Sequence, residues 1–172
     1  MFRKMPELVQ RDDFIAAMRR VAASVTVVTT DGPAGRAGAT VSAFSSVSAD
    51  PPTVLVCLNA ESRIAHFVQE NSRFCVNVLP EDSAEIADRF AGRHDDRVAD
   101  RFAGIKTFAP GGQAPLIDGA TAFCCGLQQA VRSGSHLIMV GHVREVLDGR
   151  VPPLAYRDGA YHRVVPQTAA AG

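Results

Sequence analysis

Between Gly38 and Ser48 the chain reads Gly-Ala-Thr-Val-Ser-Ala-Phe-Ser-Ser-Val-Ser, with small and hydroxylated residues crowding a strand end and its exit. Small side chains let a backbone approach a flat ligand closely, and N–H and hydroxyl groups can meet ring nitrogens and carbonyls. An ordinary serine-rich loop capping a barrel has the same composition, so residue types alone leave both readings open. Ser62-Arg63 stands where a strand gives way to a helix. Free N–H groups, a hydroxyl and a guanidinium can bind a phosphate there, or serve only as a helix cap and a surface charge. His136 opens a strand just after Gly134-Ser135. Its imidazole can orient a substrate or donate a hydrogen bond near neutral pH, or be structural only.

Other chemistries lack their residues. The chain has no Gly-x-Gly-x-x-Gly, no Walker-type phosphate loop, no Gly-x-Ser-x-Gly elbow and no His-Glu-x-x-His. A nicotinamide, if used, is not held by a dinucleotide-binding βαβ unit. His66, His94, His142 and His162 have no metal-ligand spacing, and no metal site is expected. Cys124 and Cys125 are adjacent, Cys57 and Cys75 stand alone in apolar runs, and no Cys-x-x-Cys occurs. Buried, inert thiols in a reducing compartment are expected, and with them a cytoplasmic protein. Lys+Arg and Asp+Glu balance at 18 each, which gives no electrostatic footprint for nucleic acid or an anionic membrane. No apolar run reaches the roughly 18 residues that cross a bilayer.

The elements that must position these residues follow from periodicity. Asp12 or Asp13 is expected to cap a helix with Phe14, Met18 and Val21 on one face. Val25 to Thr30 reads as a β-branched strand, Asp31 to Arg36 as a turn and Ala37 to Ser42 as the returning strand. Asp50-Pro51-Pro52 breaks the chain before a strand over Thr53 to Leu58. Ser62 then caps a helix with Ile64, Phe67 and Val68 inward, ending near Asn71. Phe74 to Leu79 is a strand, and Asp82 or Ser83 opens a helix to about Phe90. The alternating charges from Arg93 to Arg101 predict a solvated surface segment. Ala-Asp-Arg-Phe-Ala-Gly occurs at Ala87 to Gly92 and again at Ala99 to Gly104; two copies this short are read as coincidence. Long strands over Thr121 to Val131 and His136 to Leu147 meet at Arg132 to Ser135, and Asp158-Gly159 joins a last hairpin.

Roughly seven strands with two or three short helices do not alternate as a parallel sheet requires. A mainly β architecture, an antiparallel barrel with helical insertions, removes exposed edges. A single domain is expected over residues 1–172, with loose ends at about 1–10 and 166–172.

Thr40 to Ser48, followed by Asp50-Pro51-Pro52 and the strand into Cys57-Leu58-Asn59, resembles the signature of the short-chain flavin reductases. These are reductase components of two-component flavin monooxygenases, such as those acting on 4-hydroxyphenylacetate. The resemblance continues through Phe74 to Leu79, Arg89-Phe90-Ala91-Gly92, Gly134-Ser135-His136 and Pro153 to Tyr156, in the family's order. It implies an FMN-binding split barrel of Greek-key type, assembled as a homodimer. It further implies flavin contacts from Thr40, Val41, Ser42, Ala43, Ser46, Cys57, Leu58 and Asn59. Ser62 and Arg63 would meet the flavin phosphate, with Arg89 and Phe90 close by. The position of His136 lies by the nicotinamide in the family, and Tyr161 is a second candidate for that side. Many members have Gly-Asp-His where this chain has Gly-Ser-His, which puts the middle side chain's role in doubt.

The implied enzyme passes a hydride from NADH or NADPH to FMN or FAD and supplies the reduced flavin, by transient hand-off, to a partner monooxygenase. Two alternatives stand beside it. One is a reductase with tightly held flavin serving another acceptor, such as a cobalt corrin or metal complex. The other is a non-enzymatic flavin-binding protein.

Overall fold

The computed structural model describes residues 7–168. Its centre is a seven-stranded antiparallel sheet built from β2 (Thr26–Thr30), β3 (Ala37–Val41), β4 (Phe44–Ala49), β5 (Pro52–Asn59), β6 (Arg73–Val78), β9 (Thr121–Ser133) and β10 (His136–Leu147), in the order β3-β2-β6-β9-β10-β5-β4. The two ends of that order, β3 and β4, are neighbours in the chain and are separated only by Ser42 and Ala43. The sheet therefore curls until its ends meet at this corner, where the Cys57 N–H donates to the Ala43 carbonyl at 3.0 Å. Between β3 and β5 no strand ladder continues, and the barrel is split there.

β2 shows why this sequence supports two cores. All five of its residues are buried, and its alternating side chains serve opposite faces. Val28 packs with Phe74, Val56, Met139 and the helix α2 (Arg63–Asn71). Val27 packs with Leu79, Phe90, Phe102 and Leu154 on the other side. Its threonine hydroxyls are spent on backbone carbonyls of Val41, Pro115 and Arg73, which removes the cost of burying them. Asn77 is fully buried on the same terms, donating to the Val27 carbonyl at 3.0 Å and accepting from the Ile117 N–H at 2.9 Å.

Helix α3 (Ala84–Phe90) covers the second core, and α1 (Arg11–Met18) lies near the chain start. A three-stranded sheet adds β1 (Ala23–Ser24), β11 (Leu154–Arg157) and β12 (Ala160–Arg163), and β7 (Thr107–Phe108) pairs with β8 (Leu116–Ile117). Asp158 and Gly159 both take positive φ (50° and 78°) in the β11–β12 turn, the backbone an Asp-Gly hairpin favours. Asp158 also ties this turn to α1, accepting from Arg19 Nε at 2.9 Å.

Several expectations need correction. Neither Asp12 nor Asp13 caps α1: the helix starts at Arg11 after Gln10, and both aspartates sit in its first turn. Val21 lies beyond its end, and Phe14, Met18 and Val21 are all about half exposed rather than buried. The Ser-rich exit is an edge strand, β4, and not a loop. The 93–101 segment is not wholly a solvated face. Arg101 is half-buried, bonds Asp95 at 2.6 and 2.9 Å, and donates to the carbonyls of Phe90 and Gly38. Cys57 is half-buried, unlike Cys75, Cys124 and Cys125, which are buried. Among the described residues the strand count is twelve when the two-residue strands are included, because short pairings carry no periodicity to read.

Candidate functional site

The split between β3 and β5 is a cleft of about 320 Å³. Its walls are Ala39 to Val41 of β3, the corner residues Ser42 and Ala43, Cys57 to Asn59 of β5, then Ser62 and Ile64 at the start of α2. His136, the first residue of β10, completes it. Antiparallel register explains that arrival: His136 stands opposite Asn59, and the Ala60 N–H donates to the Ser135 carbonyl at 2.9 Å. The β9–β10 turn is thereby pinned to the strand that leads into α2.

Each group in the cleft has a definite state. Among the described residues β3 pairs on one side only, with β2, so its other backbone edge has no strand partner there. The Thr40 hydroxyl donates to the Ala87 carbonyl at 2.6 Å, so its side chain secures α3. Ser62 caps α2: its Oγ accepts from the Ala65 N–H at 3.3 Å and donates to the Asn59 carbonyl at 2.6 Å. The N–H groups of Arg63 and Ile64 stay without an intrahelical acceptor, as first-turn donors do. Ser135 Oγ lies 2.9 Å from His136 Nδ1, which orients an imidazole that is otherwise exposed.

The predicted residues divide accordingly. Thr40, Val41, Ser42, Ala43, Cys57, Leu58, Asn59, Ser62 and His136 line one cleft. Arg63 borders the adjoining cavity of about 690 Å³, which shares Ala39, Ser62 and Ile64 with the cleft. Ser46 sits on β4 opposite Val54, outside this cleft. Phe90 is fully buried in the second core, and Arg89 donates to the Ala103 carbonyl at 2.7 Å; neither lines the cleft. Tyr161 is also elsewhere, donating to Asp88 at 2.6 Å. Burial and the Asp88 carboxylate push its hydroxyl up to about 12.

Sequence reasoning missed Arg36, Asp100, Arg101 and Phe102, which wall the adjoining cavity. The Arg101 guanidinium holds the Asp95 carboxyl below the usual carboxylate range. The overlooked signal was the doubled Ala-Asp-Arg-Phe-Ala-Gly. Arg89 of the first copy donates to Ala103 of the second, and Arg101 of the second donates to Phe90 of the first.

A narrow slot with an unpartnered strand edge, small corner residues and helix-start donors at one end fits a flat ring system carrying a phosphate tail. Residues 18–165 match the family model described as a flavin reductase like domain. The chain belongs to the flavin reductase family. The reductase is 39% identical over 158 residues to the FMN reductase (NADH) RutF of Ancylobacter novellus, covering 91% of this chain and 86% of that one. Its fold superposes on flavin reductase PheA2 with a TM-score of 0.83 at 28% identity, over 92% of this chain and all of that one. BorF, the flavin reductase component of a bacterial two-component tryptophan halogenase, matches at a TM-score of 0.80 and 30% identity, over 92% and 100%. The split-barrel expectation is met, and the reductase is an oxidoreductase acting on flavin. Among the described residues no helix is long and apolar enough to cross a membrane.

Proposed function

We propose that the reductase uses NADH to reduce FMN bound in the β3–β5 cleft, and hands the reduced flavin to a partner monooxygenase or halogenase. The observation that carries this reading is the convergence of three unlike elements on one slot: a one-sided strand edge, the start of α2, and His136. The FMN and NADH named for the Ancylobacter relative, and the two-component system named for BorF, support the choice of partners.

A bound flavin supplies the hydride-accepting ring. The chain's residues do the positioning. The backbone from Ala39 to Ala43 and from Cys57 to Asn59 would hold the ring system. Ser62 and Arg63, with the Arg63 and Ile64 N–H groups, hold the phosphate. His136, oriented by Ser135, would steady the nicotinamide. Catalysis is then proximity and orientation, and no side chain acts as nucleophile.

The protein works as a homodimer in this reading. Phe14, Ile15, Met18 and Val21 are exposed beside Phe44, Leu55 and the Ser42-Ala43 corner, around a groove of about 940 Å³. A second copy covering that groove removes these apolar side chains from water at the cleft's own rim.

The test is loss of the nicotinamide absorbance with NADH, with and without added FMN. Oxidation that rises and saturates with FMN is expected. No oxidation with FMN, FAD or either nicotinamide would overturn the reading. A monomer by light scattering at micromolar concentration would remove the dimer from it.

A further inference from the structure

Three of the four thiols lie outside the cleft, and two of them face each other. Cys75 of β6 and Cys124 of β9 are direct partners in the antiparallel ladder, so their side chains leave the same face of the sheet. Both belong to one small core cluster with Ala114, Leu116 and Ala122. Cα atoms of ladder partners stand about 4.5–5.5 Å apart, inside the span of about 4.4–6.8 Å that a disulfide bridges. Cys125, the next residue along β9, packs in the other core with Val28 and Met139, and its ladder partner is Phe74.

We infer that Cys75 and Cys124 are a peroxide-reactive dithiol, which hydrogen peroxide converts to a cross-strand disulfide. A cavity of about 240 Å³ gives the oxidant its way in, lined by Cys75, Cys124 and Cys125 with Arg73, Gln113 and Arg144. Two bonds brace its wall: Arg73 donates to the Gly112 carbonyl at 2.9 Å, and Gln113 donates to Glu145 at 2.7 Å. Cys75 is 1% exposed and Cys124 3%, which shuts out a bulky thiol reagent. Hydrogen peroxide is little larger than water and fits the cavity.

The two sulfurs have different parts. Cys75 holds its proton toward the Ala114 carbonyl, 3.7 Å away. Its hydrogen bond to Cys124 lowers the Cys124 thiol from its ordinary range, so Cys124 is the attacking thiolate. The Cys124 sulfur takes one peroxide oxygen, the O–O bond breaks, and the other oxygen leaves as water with the thiol's proton. The Cys75 sulfur then displaces hydroxide from the sulfenic acid, and its own proton completes a second water. Two thiols and one peroxide give one disulfide and two waters. The oxidant is a by-product of flavin chemistry, since free reduced flavin in air passes two electrons to dioxygen and yields hydrogen peroxide. That source rests on the proposed release of reduced flavin; the pairing of the two thiols does not. The bridge lies between β6 and β9, in the middle of the sheet order, so it takes up peroxide and leaves the cleft at the sheet's ends open.

The experiment treats the reduced, purified chain in two arms, one with added hydrogen peroxide and one with NADH and FMN in air. Acid quenching, alkylation in denaturant and peptide mapping then locate each sulfur. Both arms are expected to give a Cys75–Cys124 bridge within one chain, lowering its mass by two hydrogens. Catalase is expected to prevent the bridge in the second arm, and dithiothreitol to reverse it in both. Cys75→Ala has no resolving thiol and is expected to hold Cys124 as a sulfenic acid that dimedone traps. Cys125→Ala is expected to bridge as the wild type does. The wild-type map decides the pairing even where a variant fails to fold. Cys75 and Cys124 both still open to alkylation after added peroxide has oxidised Cys57 would overturn the dithiol, as would a Cys124–Cys125 bridge. Absence of NADH oxidation would instead bring down the proposed function, and the arm with added peroxide would still decide the dithiol.

Discussion

Phe90 and Phe102 meet edge to face, their ring centroids 4.9 Å apart. Each comes from one copy of the hexapeptide Ala-Asp-Arg-Phe-Ala-Gly, and each copy's arginine reaches across to the other copy's backbone. The pair packs beneath Gly38, where an added Cβ would lie 2.6 Å from the Phe90 ring. The clasp thus supports β3, the strand that walls the cleft, from below.

Phe90→Ala should cost about 3–5 kcal/mol of stability, the usual range for emptying a buried phenylalanine site. Gly38→Ala should shift the ring or the strand, and weaken flavin binding more than it lowers stability. Urea melts with flavin titrations on the same samples separate the two. Equal losses of stability and affinity in Gly38→Ala would argue that β3 is not held by this contact.

His136→Ala is expected to raise KM for NADH about tenfold while flavin affinity stays within twofold, since a single hydrogen bond is at stake. Ser135→Ala should give a smaller rise in the same KM, and Ser135→Thr should restore it by returning a hydroxyl to Nδ1. A change in flavin affinity without a change in KM for NADH would assign His136 to the flavin instead.

The Tyr161 hydroxyl, pushed up to about 12 from an ordinary 10, makes stability pH-dependent at the alkaline end. Between those values the folded chain keeps a proton that the unfolded chain has released. Stability from this group is therefore full below pH 10 and falls as pH rises toward 12. Tyr161→Phe should lose about 1 kcal/mol near neutrality and flatten the alkaline decline. Urea midpoints measured across that range test the sign.

One thiol of the four should react quickly with a thiol reagent in the native protein. Cys57 is half-buried in the cleft wall, while Cys75, Cys124 and Cys125 are buried. Cys75 and Cys124 stand directly opposite in the β6–β9 ladder. Hydrogen bonding to Cys124 raises the Cys75 thiol well above its ordinary range, and burial pushes Cys125 up to about 12. FMN should slow the labelling of Cys57. Fast labelling of two or more thiols, or no protection by FMN, would contradict the placement of the ring.

Strong local signals made much of this legible. Ser62 as a cap, the apolar spacing of Ile64 and Val68, and Asp158-Gly159 each act within a few residues, and each element formed where its chemistry indicated. The gathering of Thr40 to Ala43 with Cys57 to Asn59 was legible only through a family likeness, because strand register is not written in composition. What stayed hidden depends on contacts between distant segments. Arg101 reads as one more charge in an alternating run, yet its partners Gly38 and Phe90 are supplied by β3 and α3. Phe14, Met18 and Val21 have the spacing of a buried face, but among the described residues they stay about half exposed.

The corner at Ser42 and Ala43 also couples the two edges of the sheet, since it joins the first and last strands of the order across the cleft. A ligand bound between those edges would act as a rivet. Flavin is therefore expected to slow hydrogen exchange along β3 and β5 more than in the strands opposite, by an amount that grows with flavin concentration.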